Sequence, residues 1–172
     1  YEMNIRDWSS DVCSSDLDGT LLDARVAAGA AEAGPPPLVP GMRAAVSTLA
    51  ARPETLTALV TGEPRRRLEP LLQAHGLAGL FVSIQTADAH PSKPNPAMLA
   101  AALAETGAAP ARAAVIGDGE ADMLMARALG VRALGVAWGR TPAARLRAAG
   151  AEAVAATPEA LAPALAALGV IP

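Results

Sequence analysis

Short apolar runs that alternate with helical stretches, several of them ending in Thr-Gly or Gly-Asp, constrain the fold of this chain more than any other feature. Residues 56–60, closed by Thr61-Gly62, read as a buried strand, as do 81–86, 113–116, closed by Gly117-Asp118, and 131–138. A weaker strand follows at 151–156. Between them the spacing predicts helices over 40–51, 64–75, 95–106, 121–129, 141–149 and 158–168. Met42, Val46 and Leu49 share one helical face, and Leu68, Leu71 and Leu72 cluster on another. Gly76 and Gly130 supply C-terminal stops, and Asn95-Pro96 reads as an N-cap followed by the first turn. Strands and helices in this alternation form β-α-β units, so an α/β fold with a parallel sheet covered on both faces is expected.

Composition narrows the possibilities further. The 172 residues suit one domain with a proper core, and 52% hydrophobic against 2% aromatic residues means that Ala, Leu and Val must fill it. A net charge of −3 and a pI near 5.4 give no electrostatic case for a nucleic acid or an anionic membrane as partner. The single cysteine, Cys13, excludes an intramolecular disulfide and a multi-cysteine zinc site. No apolar run is long enough to span a membrane, and the first residues do not read as a secretory signal. A cytoplasmic protein is the expectation, and oligomeric state has no signature in the sequence.

Ligands of open α/β sheets bind beyond the carboxyl ends of the strands, so those ends carry the functional reading. The first is Asp16-Leu17-Asp18-Gly19-Thr20-Leu21-Leu22-Asp23. In an extended chain residues i and i+2 share a face, so Asp16 and Asp18 can address one site, and Gly19 permits a sharp turn beside it. Next come Thr61-Gly62, then Lys93 ahead of a helix start, then Asp118 with Asp122 four residues on. A hard cation such as Mg²⁺ takes carboxylate oxygen, available from Asp16, Asp118 and the Asp18 carbonyl. A transferring phosphoryl group calls for a fixed ammonium and hydrogen-bond donors, available from Lys93, the Thr61 hydroxyl and nearby backbone N–H groups. Singly, each has a plainer reading: an acidic turn, a strand-to-helix turn, an exposed lysine, or an acid placed to suit a helix dipole. Their joint occurrence at strand ends, in this order, favours phosphoryl transfer.

Residues 1–15 differ in character from the rest of the chain. They contain no Ala, and the stretch leading into Asp16 offers mainly Val12 and Cys13, where a buried parallel strand should be nearly continuous in Val, Ile and Leu. Asp11 to Leu17 also matches the translation of a common sequencing-library adapter, so residues 1–15 read as a non-native leader and 16–172 as the domain.

The sequence resembles the haloacid dehalogenase superfamily of phosphatases. Residues 16–23 match its first motif, Thr61 its second, Lys93 its third, and Gly117-Asp118-Gly119-Glu120-Ala121-Asp122 its fourth. Ser92-Lys93-Pro94-Asn95-Pro96 and residues 126–131 look most like the phosphoglycolate phosphatase branch. The resemblance implies a three-layer Rossmann-like core, with Asp16 as the nucleophile that forms an aspartyl-phosphate and Asp18 as acid and then base. It implies Thr61, Gly62 and Lys93 on the phosphate, and Mg²⁺ on Asp16, Asp18 and Asp118, supported by Asp122. The substrate would be a small phosphorylated metabolite. Residues 24–39, small and closed by Pro35, Pro36 and Pro37, stand where relatives carry a much longer helical cap, so the cap is vestigial or absent. A catalytically impaired fragment and a receiver-type phospho-acceptor domain are the alternatives. The second carboxylate, Asp18, argues against carbon–halogen chemistry.

Overall fold

Alternating strand residues separate the interior into two apolar layers. The computed structural model describes the backbone of residues 11–15 and all of residues 19–23 and 35–172. Its sheet is built from β1 (Asp11–Ser15), β2 (Thr55–Thr61), β3 (Ser83–Thr86), β4 (Ala113–Gly117), β5 (Arg132–Val136) and β6 (Ala153–Ala155). Their order is β3-β2-β1-β4-β5-β6 and every pairing is parallel. The helices are α1 (Met42–Ala50), α2 (Arg65–Ala74), α3 (Ala97–Thr106), α4 (Glu120–Ala128), α5 (Ala143–Ala149) and α6 (Leu161–Ala167).

On one face Leu59, Ala114, Ile116, Leu134 and Val136 meet Met42, Val46 and Leu49 of α1, Leu68 and Leu72 of α2, and Leu161 and Leu165 of α6. On the other, Ala58, Val60, Ala113, Val115 and Ala133 meet Met98, Leu99, Ala102 and Leu103 of α3, Met123 and Ala126 of α4, and Leu146 and Ala149 of α5. Successive strand residues point to opposite faces, so each central strand must be apolar on both. β4, whose five residues are all buried, is the clearest case. The expected three-layer α/β architecture is what the chain adopts.

Three local features depart from the simplest reading. The stretch before Asp16 lacks the continuous apolar run of a buried parallel strand, yet Asp11–Ser15 is a central strand, as the reading of Asp16 and Asp18 as a strand end requires. Val12 pairs with Leu56 on one side and Ala113 on the other, and Ser15 with Leu59 and Ile116. Backbone ladders on both flanks hold it, a contribution that side-chain pattern does not register. The Asn95 cap is displaced by one position: α3 begins at Ala97, and Asn95 Oδ1 accepts its N–H at 3.0 Å. The final helix is split into a 3₁₀ turn at Pro158–Ala160 and α6. Pro70 lies within α2 on its exposed face, where the carbonyl that loses its partner can be hydrated.

The strand order changes direction at β1. The chain runs from β1 to β2 and β3 on one side, then crosses to β4, β5 and β6 on the other. The crevice beyond the carboxyl ends of β1 and β4 is therefore the topological switch point. Beyond it, Leu22 and Leu38 form an antiparallel bridge, with the Asp23 N–H donating to the Pro37 carbonyl and the Val39 N–H to the Leu21 carbonyl. This stub joins the two ends of the 24–34 segment, which lies outside the described residues.

Candidate active site

Asp118 stands at the end of β4, buried to 2% exposure, and two residues without a Cβ leave room for it. A Cβ on Gly19 would lie 2.1 Å from Asp118 Oδ2, and one on Gly139 would lie 2.1 Å from Asp118 Cβ. Gly19 also has φ +86°, a conformation that L side chains rarely adopt. The turn within the first predicted motif is thus packed directly against the fourth. Asp16 and Asp18 themselves lie outside the described residues. Their described neighbours are Ser15, which pairs with both β2 and β4, and Gly19, whose N–H donates to the Leu22 carbonyl at 3.1 Å.

Asp122 lies in the first turn of α4, 2% exposed. Its Oδ1 accepts from Lys93 Nζ at 2.8 Å, and its Oδ2 accepts from the Gly119 N–H at 3.1 Å. Gly119 is the N-cap of α4 and has no side chain to cap with, so Asp122 reaches back to do so. Gly117 must be a glycine for the same reason that Gly139 must: its Cβ would meet Asp122 Cβ at 2.5 Å. The Lys93 side chain is only 10% exposed. The ammonium predicted from the third motif and the carboxylate predicted from the fourth are therefore one buried ion pair.

Thr61 ends β2, 1% exposed, and its hydroxyl oxygen accepts the Glu63 N–H at 3.1 Å. Accepting that bond leaves the hydroxyl proton available to a ligand. Gly62 beside it has open space where a Cβ would be. The helix that follows, α2, has no side-chain cap of its own at Pro64. Asp88, from the loop leading to Lys93, supplies one: its Oδ2 accepts the Arg65 N–H at 2.6 Å. The Arg65 guanidinium donates to the Ile84 carbonyl at 3.0 Å. The loop that carries Lys93 is thereby tied to the helix that starts at Thr61-Gly62.

A second set of bonds holds that loop to the sheet. His90 Nε2 lies 2.8 Å from Gln85 Oε1, Gln85 Nε2 donates to Ser83 Oγ at 3.1 Å, and Ser83 donates to Glu105 Oε2 at 2.6 Å. The Ser83 hydroxyl, and after it the Gln85 amide, hold the Glu105 carboxyl below the usual carboxylate range. His75 Nε2 lies 2.8 Å from the Pro36 carbonyl, a bond that docks the helix end.

One contributor escaped the sequence reading: the loop after β5. The Trp138 indole N–H donates to the Thr20 carbonyl at 3.0 Å, and the Arg140 N–H donates to Asp118 Oδ2 at 3.1 Å. Arg140 Nε lies 3.8 Å from the same oxygen. The rule that ligands gather beyond strand ends applies to β5 as much as to β4, and Trp-Gly-Arg directly after a strand was the available signal.

Thr61, Lys93, Asp118 and Asp122 thus stand at the same end of the sheet as Gly19, where a hard cation would find buried carboxylate oxygen from Asp118. Among the described residues no group of three or more His, Cys, Asp or Glu side chains is assembled. No helix among them is long and apolar enough to cross a membrane.

Comparison with known proteins agrees with this geometry. Residues 25–130 match the haloacid dehalogenase-like hydrolase family. A probable phosphatase, IndB, from Dickeya dadantii is 38% identical over 112 residues, 64% of this chain and 48% of that protein. A phosphoglycolate phosphatase from Pasteurella multocida is 31% identical over 103 residues, 59% of this chain and 46% of that protein. The chain spans about half the length of these curated relatives. A haloacid dehalogenase-like protein of unknown function from Agrobacterium tumefaciens has the same fold, with a TM-score of 0.78 at 23% identity over 93% of this chain and 99% of that one. With the family's match extending over more than half of its residues, the chain belongs to the haloacid dehalogenase-like hydrolases.

Proposed function

We propose that this chain is the core of a Mg²⁺-dependent phosphomonoesterase for small phosphorylated metabolites, similar to phosphoglycolate phosphatases and working through an aspartyl-phosphate in the cytoplasm. The observation that supports it best is the pairing of Lys93 with Asp122 beside Asp118, at the crevice where Gly19 meets Asp118. Asp16, as the resemblance implies, attacks phosphorus and displaces the alkoxide, which takes its proton from Asp18. Asp18 then removes a proton from water, the resulting hydroxide attacks the aspartyl-phosphate, and inorganic phosphate leaves. Lys93 and the Thr61 hydroxyl hold the phosphoryl oxygens, with Lys93 fixed for that task by Asp122. Asp118 fits a hard cation: it is a buried carboxylate at a place that two Cβ-less residues keep clear. With Asp16 and the Asp18 carbonyl it would hold Mg²⁺, which supplies charge neutralisation at the transferring group. Asp122, whose two oxygens accept from Lys93 and Gly119, acts in support.

The test is turnover of p-nitrophenyl phosphate with Mg²⁺, with excess chelator, and by Asp16→Asn. Expected are multiple turnovers that cease on chelation and fall by about 10³-fold or more in the variant. Activity that survives either change overturns the mechanism. Stoichiometric phosphate uptake without turnover would instead identify a phospho-acceptor domain.

A further inference from the structure

Asp122 holds the tip of Lys93, and a separate set of bonds holds the loop that carries it. We infer that His90 is a positioning residue for Lys93, fixed in turn by a one-way hydrogen-bond chain that ends on the Glu105 carboxylate. The inference rests on the phosphatase reading in taking phosphate as the ligand of Lys93.

The loop leaves β3 at Thr86, which pairs with Thr61 of β2, and reaches α3 at Ala97. Asp88 ties it to the start of α2, and His90 ties it to β3 through Gln85. Only Pro91 and Ser92 separate His90 from Lys93, and the proline ring fixes one of the few dihedral angles between them. A shift of His90 is therefore passed to Lys93 with little slack.

The direction of the chain follows from its far end. Glu105 lies in the last turn of α3, exposed, and the Ser83 hydroxyl, followed by the Gln85 amide, holds its carboxyl below the usual carboxylate range. An ionised carboxylate can only accept, so Ser83 must donate to it. The Ser83 oxygen then accepts the Gln85 amide N–H, which turns the Gln85 carbonyl to His90. A carbonyl oxygen requires a donor, so His90 carries a proton on Nε2. Ser83 and Gln85 are 2% and 5% exposed, so water has little access to the middle of the chain. Without the carboxylate this polarity loses its anchor. The Gln85 amide can then turn over, and His90 can carry its proton on Nδ1 instead. The chain runs from the first residue of β3 to the loop beyond its last, so Glu105 acts on the Lys93 loop from the far end of the strand.

The test reads phosphate binding and the imidazole separately. Calorimetry with inorganic phosphate and Mg²⁺, and nitrogen NMR of the neutral His90 ring, compare the wild-type chain with His90→Ala, His90→Gln, Glu105→Ala and the double variant His90→Ala/Glu105→Ala. Glu152→Ala is the control, because it removes an exposed carboxylate that pairs with Arg132 near the opposite edge of the sheet. His90→Ala should weaken phosphate binding by about 3- to 10-fold, the scale of one hydrogen bond. His90→Gln, whose amide N–H can replace the Nε2 donor, should recover most of that loss. Glu105→Ala should weaken binding by about 2- to 3-fold, and the double variant should bind no worse than His90→Ala, since members of one chain are not additive. The wild-type ring should be the Nε2–H tautomer, Glu105→Ala should give a mixture of both, and Glu152→Ala should change neither tautomer nor affinity. No phosphate binding by the wild-type chain, unchanged affinity in His90→Ala, no recovery in His90→Gln, additive losses in the double variant, or a tautomer that ignores Glu105 overturns the inference. Should His90→Ala fail to fold, Glu105→Ala decides alone, because its side chain is exposed: an unchanged affinity or an unchanged tautomer there removes the chain. Turnover of p-nitrophenyl phosphate with a phosphate affinity independent of His90 leaves the phosphatase standing and removes this inference. His90-dependent phosphate binding without turnover does the reverse.

Discussion

Replacing Gly139 by alanine probes how closely the site is packed. The added Cβ would lie 2.1 Å from Asp118 Cβ and 2.7 Å from its carboxyl carbon. Nonbonded carbons settle about 3.5–4.0 Å apart, so an overlap of roughly 1.5 Å must be absorbed. Asp118 has little room to yield, because Gly19 also lies against its carboxylate. The loop resists too, held by the Trp138 bond to Thr20 and the Ala137 bond to β6. Overpacking of this kind costs about 1–3 kcal/mol. For a chain of this size each kcal/mol moves Tm by about 2–4 °C, so a mid-range cost lowers it by about 4–8 °C. Displacing Asp118 by about 1 Å should also lower turnover by about 10²-fold. The assay is thermal unfolding by circular dichroism together with Mg²⁺-dependent hydrolysis of p-nitrophenyl phosphate. Gly62→Ala is the stability control, since it also lacks a positive φ and its Cβ would enter open space. A Gly139→Ala chain that melts with the wild type would refute the packing argument.

Two further outcomes rest on the hydrogen bonds. Asp122→Asn leaves one donor, Lys93 Nζ or the Gly119 N–H, facing an amide NH₂, and should cost about 1.5–3 kcal/mol in urea unfolding; a change below about 0.5 kcal/mol would count against the pair. Ser83→Ala removes the main cause of the lowered Glu105 pKa, so NMR titration should find that carboxyl shifted up. A depressed acid stabilises above its unfolded pKa and loses that contribution as pH falls through the folded one. The stability gap between wild type and Ser83→Ala should therefore be present at neutral pH and narrow on acidification. A gap that is constant or widens would show that the Glu105 charge is not involved.

How far the site was legible can be argued residue by residue. Thr61, Lys93, Asp118 and Asp122 stand out because each closes or follows an apolar run, and the end of a strand is a local feature. That Asp122 is the partner of Lys93, 29 residues away, is not local. Nor is the capping of α2 by Asp88, since Pro64 shows only that the helix lacks its own cap. Trp138 reads as the end of the 131–138 strand and Arg140 falls between it and the next helix, and nothing in their immediate neighbours indicates that β5 lies beside β4. That the strand leading into Asp16 is the central one is likewise not local: its ladders to β2 and β4 are made by backbone, which leaves little trace in composition.

From sequence alone came the α/β alternation, the helix stops and the chemistry-bearing residues at the strand ends. Periodicities of two and of 3.6, glycine stops and charge type are all properties of neighbouring residues. Tertiary structure decided which strand ends meet. The order β3-β2-β1-β4-β5-β6 brings residues far apart in the chain to one crevice, sets Gly19 and Gly139 against Asp118, and bonds the Arg140 N–H to the same carboxylate. Strand order is a choice among long-range pairings, and it is made by burying both faces of the whole sheet at once rather than by any one segment.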